Sequence, residues 1–376
     1  MCGVQAFGDM KKHLSFALLL AAGICLPGLV AAHAIDTNYC DAKTYTPEVF
    51  DVQCDDRHIA FKSNGLPSAD HPLMKGVTAT NQQFPRAHNY TFRIDRRPRP
   101  EGRKTPTEAG PIGVAVNGIP IFDPSTQGRV DPNTGMRPHT LVEGELDICG
   151  GHAGRGDDYH YHIAPRCLIE QLGAERIDVK KQPIGFAMDG FPIHALGWFD
   201  RKNDIEDKLD DCRGFTDANG RYFYNVMHAA KWDILTCFTG RPKGFAKDEW
   251  EARRDSRGHE IVGYPLKFTI AAYAVEEHGA ERCHVASGVV PREQILLTSG
   301  ETKKIENQAG ALFYCNSGCY GMFFEADKRA SFRGRVLYYD KVIEACPAAF
   351  DVAKFTGFEP YKGPQQSHKG PQSTRK

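Results

Sequence analysis

Three histidines of this 376-residue chain have the spacing of metal ligands. His160 and His162 alternate with tyrosines in Tyr159-His160-Tyr161-His162, and His152 precedes them across a turn that carries Gly154, Gly156, Asp157 and Asp158. In an extended strand, side chains two apart share a face, so His160 and His162 project together while Tyr159 and Tyr161 turn into the core. A hairpin return over that turn brings His152 beside the pair. Three neutral imidazoles on one rigid β-surface make an open three-ligand centre for zinc or copper, with a fourth position for water or substrate. Such a centre serves either metal capture, storage and delivery, or a metal-dependent hydrolase or oxidase. The metal-free alternatives are a pH-responsive surface, because histidine titrates near pH ~6.5, and an envelope or carbohydrate-binding module stacking sugars on Tyr and His.

Other residues are candidates for supporting roles. His194, at the end of Asp189-Gly-Phe-Pro-Ile-His194, is a possible additional ligand. Asp157 and Asp158 lie in the loop before the histidine pair and are placed to orient an imidazole from behind. Asp147 is expected to hold a turn or hydrogen-bond a ligand rather than to ligate. A catalytic reading needs a general base near the triplet, and Asp157, Asp158 and Asp189 are the candidates. There is no HExxH, no GxSxG and no phosphate-binding Gly-rich loop after a strand. His139, His228, His278 and His284 have no spacing partner and are read as ordinary.

The elements that position these residues are written twice. Pro111-Ile-Gly-Val-Ala-Val-Asn-Gly-Ile-Pro-Ile-Phe122 aligns without a gap on Pro183-Ile-Gly-Phe-Ala-Met-Asp-Gly-Phe-Pro-Ile-His194. Each copy predicts an apolar strand, an Asn-Gly or Asp-Gly turn and a second short strand, which is a hairpin signal. Leu146–His162 aligns in the same way on Leu209–Asn225, with Leu, Asp, Cys, Gly and two Tyr retained. The retained positions are scaffold. His152, His160 and His162 become Phe215, Phe223 and Asn225, so the three change as a set and a fold can be built without them. Asp147 recurs as Asp210, which assigns it to the scaffold. The two units are expected to pack about a pseudo-two-fold.

The chain as a whole divides into five expected segments. Residues 1–34 read as a secretory signal peptide: Lys11 and Lys12, an apolar run from Leu14, and an Ala32-His33-Ala34 cleavage site. Residues 35–110 read as an N-terminal β/loop region, 111–240 as the duplicated domain (copies 111–162 and 183–225), and 260–346 as a β-sandwich-like C-terminal region. The tail 361–376 repeats Gly-Pro-Gln and reads as disordered. The 37 Gly and 23 Pro favour turns and short strands, so the fold class is mainly β. A formal net charge of zero argues against a nucleic-acid partner, and no membrane span is expected after signal cleavage. The basic stretch Arg93–Lys104 is Pro-broken and reads as a solvated loop. Export to the periplasm or outside the cell turns the ten remaining cysteines into disulfide candidates: Cys40, Cys54, Cys149, Cys167, Cys212, Cys237, Cys283, Cys315, Cys319 and Cys346. Proximity suggests Cys40–Cys54, and the duplication suggests Cys149–Cys167 and Cys212–Cys237 as equivalent pairs.

Cys149-Gly-Gly-His152 and Tyr159-His-Tyr-His162, with the flanking Val116-Asn-Gly-Ile-Pro-Ile121 and Ile184-Gly-Phe-Ala-Met-Asp-Gly-Phe-Pro-Ile193, resemble the YHYH domain family. The resemblance covers roughly Pro111 to Gly240. It implies an exported bacterial protein and a domain, and leaves the reaction open. Family members often carry a second such stretch. Here it is degenerate as Tyr222-Phe-Tyr-Asn225, so one site rather than two is expected.

Overall fold

The computed structural model describes residues 35–79, 83–126, 130–154, 157–228, 230–243, 246–247, 269–278, 281–297, 302–316, 320–324 and 332–333. The expected signal peptide (1–34), the tail (361–376), Cys319 and Cys346 lie outside them.

Both apolar runs fold as hairpins, and the duplicated region closes into one eight-stranded sheet. The first copy supplies β1 (Pro111–Ala115), β2 (Pro120–Phe122), β3 (Gly151–Ala153) and β4 (Tyr159–Tyr161). The second supplies β5 (Gly185–Ala187), β6 (Pro192–His194), β7 (Gly214–Thr216) and β8 (Tyr222–Asn225). The order across the sheet is β7-β8-β6-β5-β1-β2-β4-β3, a palindrome about its centre. At that centre Gly113 faces Ala187, Val114 faces Phe186 and Ala115 faces Gly185 in antiparallel pairing. Because Gly113 corresponds to Gly185 and Ala115 to Ala187, a local two-fold passes between Val114 and Phe186. The strands cross here at a distance that only glycine permits. A Cβ at Gly113 would stand 2.8 Å from the Phe186 carbonyl oxygen, and one at Gly185 2.7 Å from that of Val114. The outer pairings repeat as well: β2 runs parallel to β4 with Ile121 opposite Tyr161, and β6 runs parallel to β8 with Ile193 opposite Tyr224.

One apolar cluster ties this sheet to its neighbours. It joins Val114, Ile121, Tyr159, Tyr161, Phe186 and Tyr224 to Leu168 and Ile169 of the helix Arg166–Ala174, and to Ile59, Phe61 and Phe92. The last three belong to a second, antiparallel sheet of Val49–Cys54, His58–Ser63, Tyr90–Asp95 and Ala246–Lys247. Burying a side chain of this size contributes about 1.5–3 kcal/mol, so the tyrosines of the motif are principal core residues.

Among the described residues four disulfides form: Cys40–Cys54, Cys149–Cys167, Cys212–Cys237 and Cys283–Cys315. The second and third start from matching cysteines, Cys149 and Cys212, but reach a helix at Cys167 and a strand at Cys237. The C-terminal region forms an antiparallel sheet of Thr269–His278, Glu281–Leu297, Thr302–Cys315 and Tyr320–Phe324, with Phe332–Arg333 paired to the second of these. Among the described residues it is one sheet, not two facing ones, because each long strand pairs with its immediate neighbour in sequence. It meets the rest of the chain at Ile270, which exchanges backbone hydrogen bonds with Gly76 and Val77. No helix among the described residues is long and apolar enough to cross a membrane.

Candidate metal centre

The turn that carries Cys149-Gly-Gly-His152 is held by a buried carboxylate. Asp147 Oδ1 accepts hydrogen bonds from the backbone N–H of Cys149 (2.9 Å) and Gly151 (3.2 Å), and Oδ2 from the Tyr159 hydroxyl (2.7 Å) and Met74 N–H (3.2 Å). Asp210 does the same in the second copy, accepting from Cys212 N, Gly214 N and the Tyr222 hydroxyl. Asp147 therefore clasps β3 to β4 and is scaffold. Burial pushes its carboxyl up to about 6, against the pull of these donors.

On this clasp the β3–β4 register sets His152 directly opposite His160. His162 follows β4, its N–H donating to the Gly150 carbonyl at 3.0 Å. The three rings form a near-equilateral triangle, with centroids 4.8, 4.9 and 4.8 Å apart for the pairs 152–160, 152–162 and 160–162. Their ligand-capable nitrogens all lie within 4.8 Å of one another. His160 and His162 are buried, and the His152 side chain is 12 % exposed.

Each imidazole has an oxygen at its Nδ1. That of His160 lies 2.8 Å from the Asp158 carbonyl oxygen and 3.4 Å from its carboxylate. That of His162 meets the Asp123 carbonyl, and that of His152 lies 3.9 Å from the Glu145 carboxylate. A carbonyl only accepts, so His160 and His162 carry their proton on Nδ1 and present a bare Nε2 lone pair. The Nε2 atoms of His152 and His162 are 3.0 Å apart. Two nitrogens sharing a tetrahedral ion at about 2.0–2.1 Å stand about 3.3 Å apart, so the pair is close to the spacing one ion requires.

Burial, followed by the neighbouring imidazoles, holds the pKa of His152 well below the ordinary histidine value, and burial and His160 do so for His162. Both are neutral at pH 7, the form that ligates. Burial alone would raise the Asp158 carboxyl, but contact with His160 draws it below its usual value. Phe122 stacks on His160 with centroids 4.0 Å apart and closes one side of the site. Gly154 is required opposite: a Cβ there would stand 2.8 Å from His160 Cε1.

Of the accessory residues anticipated from sequence, Asp158 reaches the triplet. Asp157, in a left-handed conformation that Gly220 adopts in the other copy, instead faces Arg86, whose Nε lies 3.7 Å away. Asp189 belongs to the second copy, accepting from the Tyr224 hydroxyl (2.6 Å), Gly240 N and Phe191 N. Its counterpart Asn117 holds Tyr161 at 3.0 Å. His194 is not brought to the triplet. It sits in β6, separated from β4 by β5, β1 and β2, fully buried against Phe223. Phe122 takes the corresponding place beside the histidines.

Asp123, Glu145 and Phe122 were not anticipated. Asp123 acts through its backbone, which side-chain identity cannot signal. Glu145 had a legible signal, because its counterpart is Lys208, a change that accompanies the loss of the histidines. The one-turn helix Thr140–Glu143, capped by His139 and ended by left-handed Gly144, delivers Glu145 to its place.

Residues 91–207 match the family described as YHYH protein. This stretch is a YHYH domain. The match takes in both apolar hairpins and the whole triplet, and ends before β7 and β8. No curated protein and no solved structure matches the chain. In the YHYH tetrapeptide the two tyrosines anchor the strand, one to Asp147 and one to Asn117, while the two histidines face the site with His152.

Proposed function

We propose that this chain is an exported metal-binding protein whose YHYH domain holds one zinc or copper ion on His152, His160 and His162. The observation that carries the reading is the convergence of the imidazoles: two have a bare Nε2, and one of these faces His152 Nε2 at 3.0 Å. Two lone pairs at that distance repel unless a cation or a proton lies between them. A bound ion supplies that charge and would act there as a Lewis acid. The chain's own part is to orient the imidazoles from behind through Asp123, Asp158 and Glu145, and to keep His152 and His162 neutral by burial.

The carboxylates that touch the triplet do so at Nδ1, on the side away from the convergent nitrogens. That arrangement tightens ligands rather than supplying a general base, and it favours metal retention over hydrolysis. Four disulfides support an oxidising destination, the periplasm or the exterior.

The test is elemental mass spectrometry on protein exported to the periplasm and purified without chelators or a His-tag, beside a His160→Ala/His162→Ala variant. One zinc or copper per chain, lost in the variant, supports the reading. No metal in either, with no uptake on titration, replaces it with a metal-free module in which His152 Nε2–H donates to His162.

A further inference from the structure

We infer that a cleft between the N-terminal region and the second copy is a separate binding site for a small organic anion with a ring, of the uronate type. On the second-copy side of the sheet lies a cleft of about 350 Å³ walled by Arg96, Arg97 and Arg221 together with Tyr39, Phe191 and Tyr222. This size is at the lower end of ligand clefts (about 300–1,000 Å³), room for one or two rings.

Two of the three guanidiniums are fixed in advance. Arg221 Nε donates to Asp217 at 2.9 Å, and Arg96 donates to the Asp55 carbonyl. The Arg97 side chain makes no ion pair or hydrogen bond among the described residues, whereas its backbone N–H is held by Asp95 at 2.9 Å. A cleft with anchored cations and one uncommitted guanidinium is suited to a carboxylate, which a guanidinium fork binds through paired hydrogen bonds. The aromatic walls suit the apolar face of a sugar ring.

The duplication gives an independent argument. Arg221 occupies the place of Asp158, whose carbonyl orients His160 in the first copy. The turns are the same: Asp157 N and Gly220 N each bond back three residues, to Gly154 and Asp217, at 2.9 Å. One frame thus presents an acid beside the histidines in the first copy and, in the second, a guanidinium at the cleft whose Nε is paired to Asp217.

The experiment is calorimetric titration of the purified full chain with glucuronate, glucose and inorganic phosphate, repeated on Arg97→Ala. Arg97 is exposed, so its removal leaves the fold intact, and circular dichroism checks this. Saturable glucuronate binding, absent for glucose and weakened about tenfold or more in Arg97→Ala, supports the site. Phosphate binding as tightly as glucuronate would remove the ring from the inference and overturn the uronate assignment. No saturable binding of glucuronate, or binding indifferent to Arg97→Ala, overturns the site altogether.

Discussion

Phe122 and His194 occupy the same position on opposite sides of the local two-fold, and each packs on the ring that the other's type would predict. Phe122 stacks on His160 at 4.0 Å, and His194 packs edge-on against Phe223 at 5.0 Å. The aromatic contact is conserved between the halves while the imidazole changes sides. In the first half the imidazole lies beside two others, whereas in the second a lone one against phenylalanine is a buried polar group. The nitrogens of His194 make no hydrogen bond of good geometry, and the Gln182 backbone is a polar neighbour.

His194→Leu should therefore stabilise the fold by about 1 kcal/mol, since the lost polar atoms had little to compensate their desolvation. Metal content should not change. Thermal unfolding with and without added metal checks both, and a loss of metal in this variant would show that His194 acts on the site after all.

Acid should act on the same residue. Burial holds His194 down to about 3 in the folded state, against about 6.5 when unfolded. Both states are neutral above pH ~6.5 and the full stability is present there. As pH falls from 6.5 towards 3 only the unfolded state takes up the proton, and stability drops by up to about 1.4 kcal/mol per pH unit. Denaturant unfolding across this range should show a shallower acid loss in His194→Leu than in the wild type. Equal slopes would mean that the proton is taken up elsewhere.

Glu145→Gln should weaken metal binding by about tenfold, and Glu145→Lys, which copies Lys208, by more, because the negative charge 3.9 Å behind His152 Nδ1 raises the basicity of the ring. Chelator competition reads the affinity. Glu145→Gln keeps the length and one oxygen of the side chain, so circular dichroism should show the fold retained while affinity falls.

The disulfides of Cys149 and Cys212 should separate stability from binding. Removing Cys149–Cys167 or Cys212–Cys237 by serine pairs should cost about 2–4 kcal/mol each. Only the first loss should reduce metal affinity, since Cys149 begins the turn that carries His152. Equal effects on affinity would indicate that the site depends on global stability and not on this local tether.

Metal release on acidification should also occur below the range of free imidazole. The depressed pKa values of His152 and His162 mean that protons compete for their nitrogens only at lower pH. A metal-retention curve centred near pH ~6.5 would contradict their burial.

Much of this arrangement is legible in sequence because it is written twice. The duplication marks Asp147 as scaffold, since Asp210 repeats it, and marks the histidines as a set that the fold can spare. Strand alternation sends Tyr159 and Tyr161 one way and His160 and His162 the other. What escaped is whatever acts through backbone or through sheet order. The Asp123 carbonyl has no side-chain signature. The place of His194 depends on β2 and β6 lying on opposite sides of the central pair, and hairpin signals do not give sheet order. The C-terminal region reads as strands correctly, but alternation alone cannot distinguish one extended sheet from two stacked ones.

The palindromic sheet also makes the molecule its own control. Tyr161 and Tyr224 sit in matching registers opposite Ile121 and Ile193, so the same substitution can be made in either half against nearly the same surroundings. A change that disturbs packing should register from both sides of the axis, whereas one that disturbs the histidine cluster should register from one.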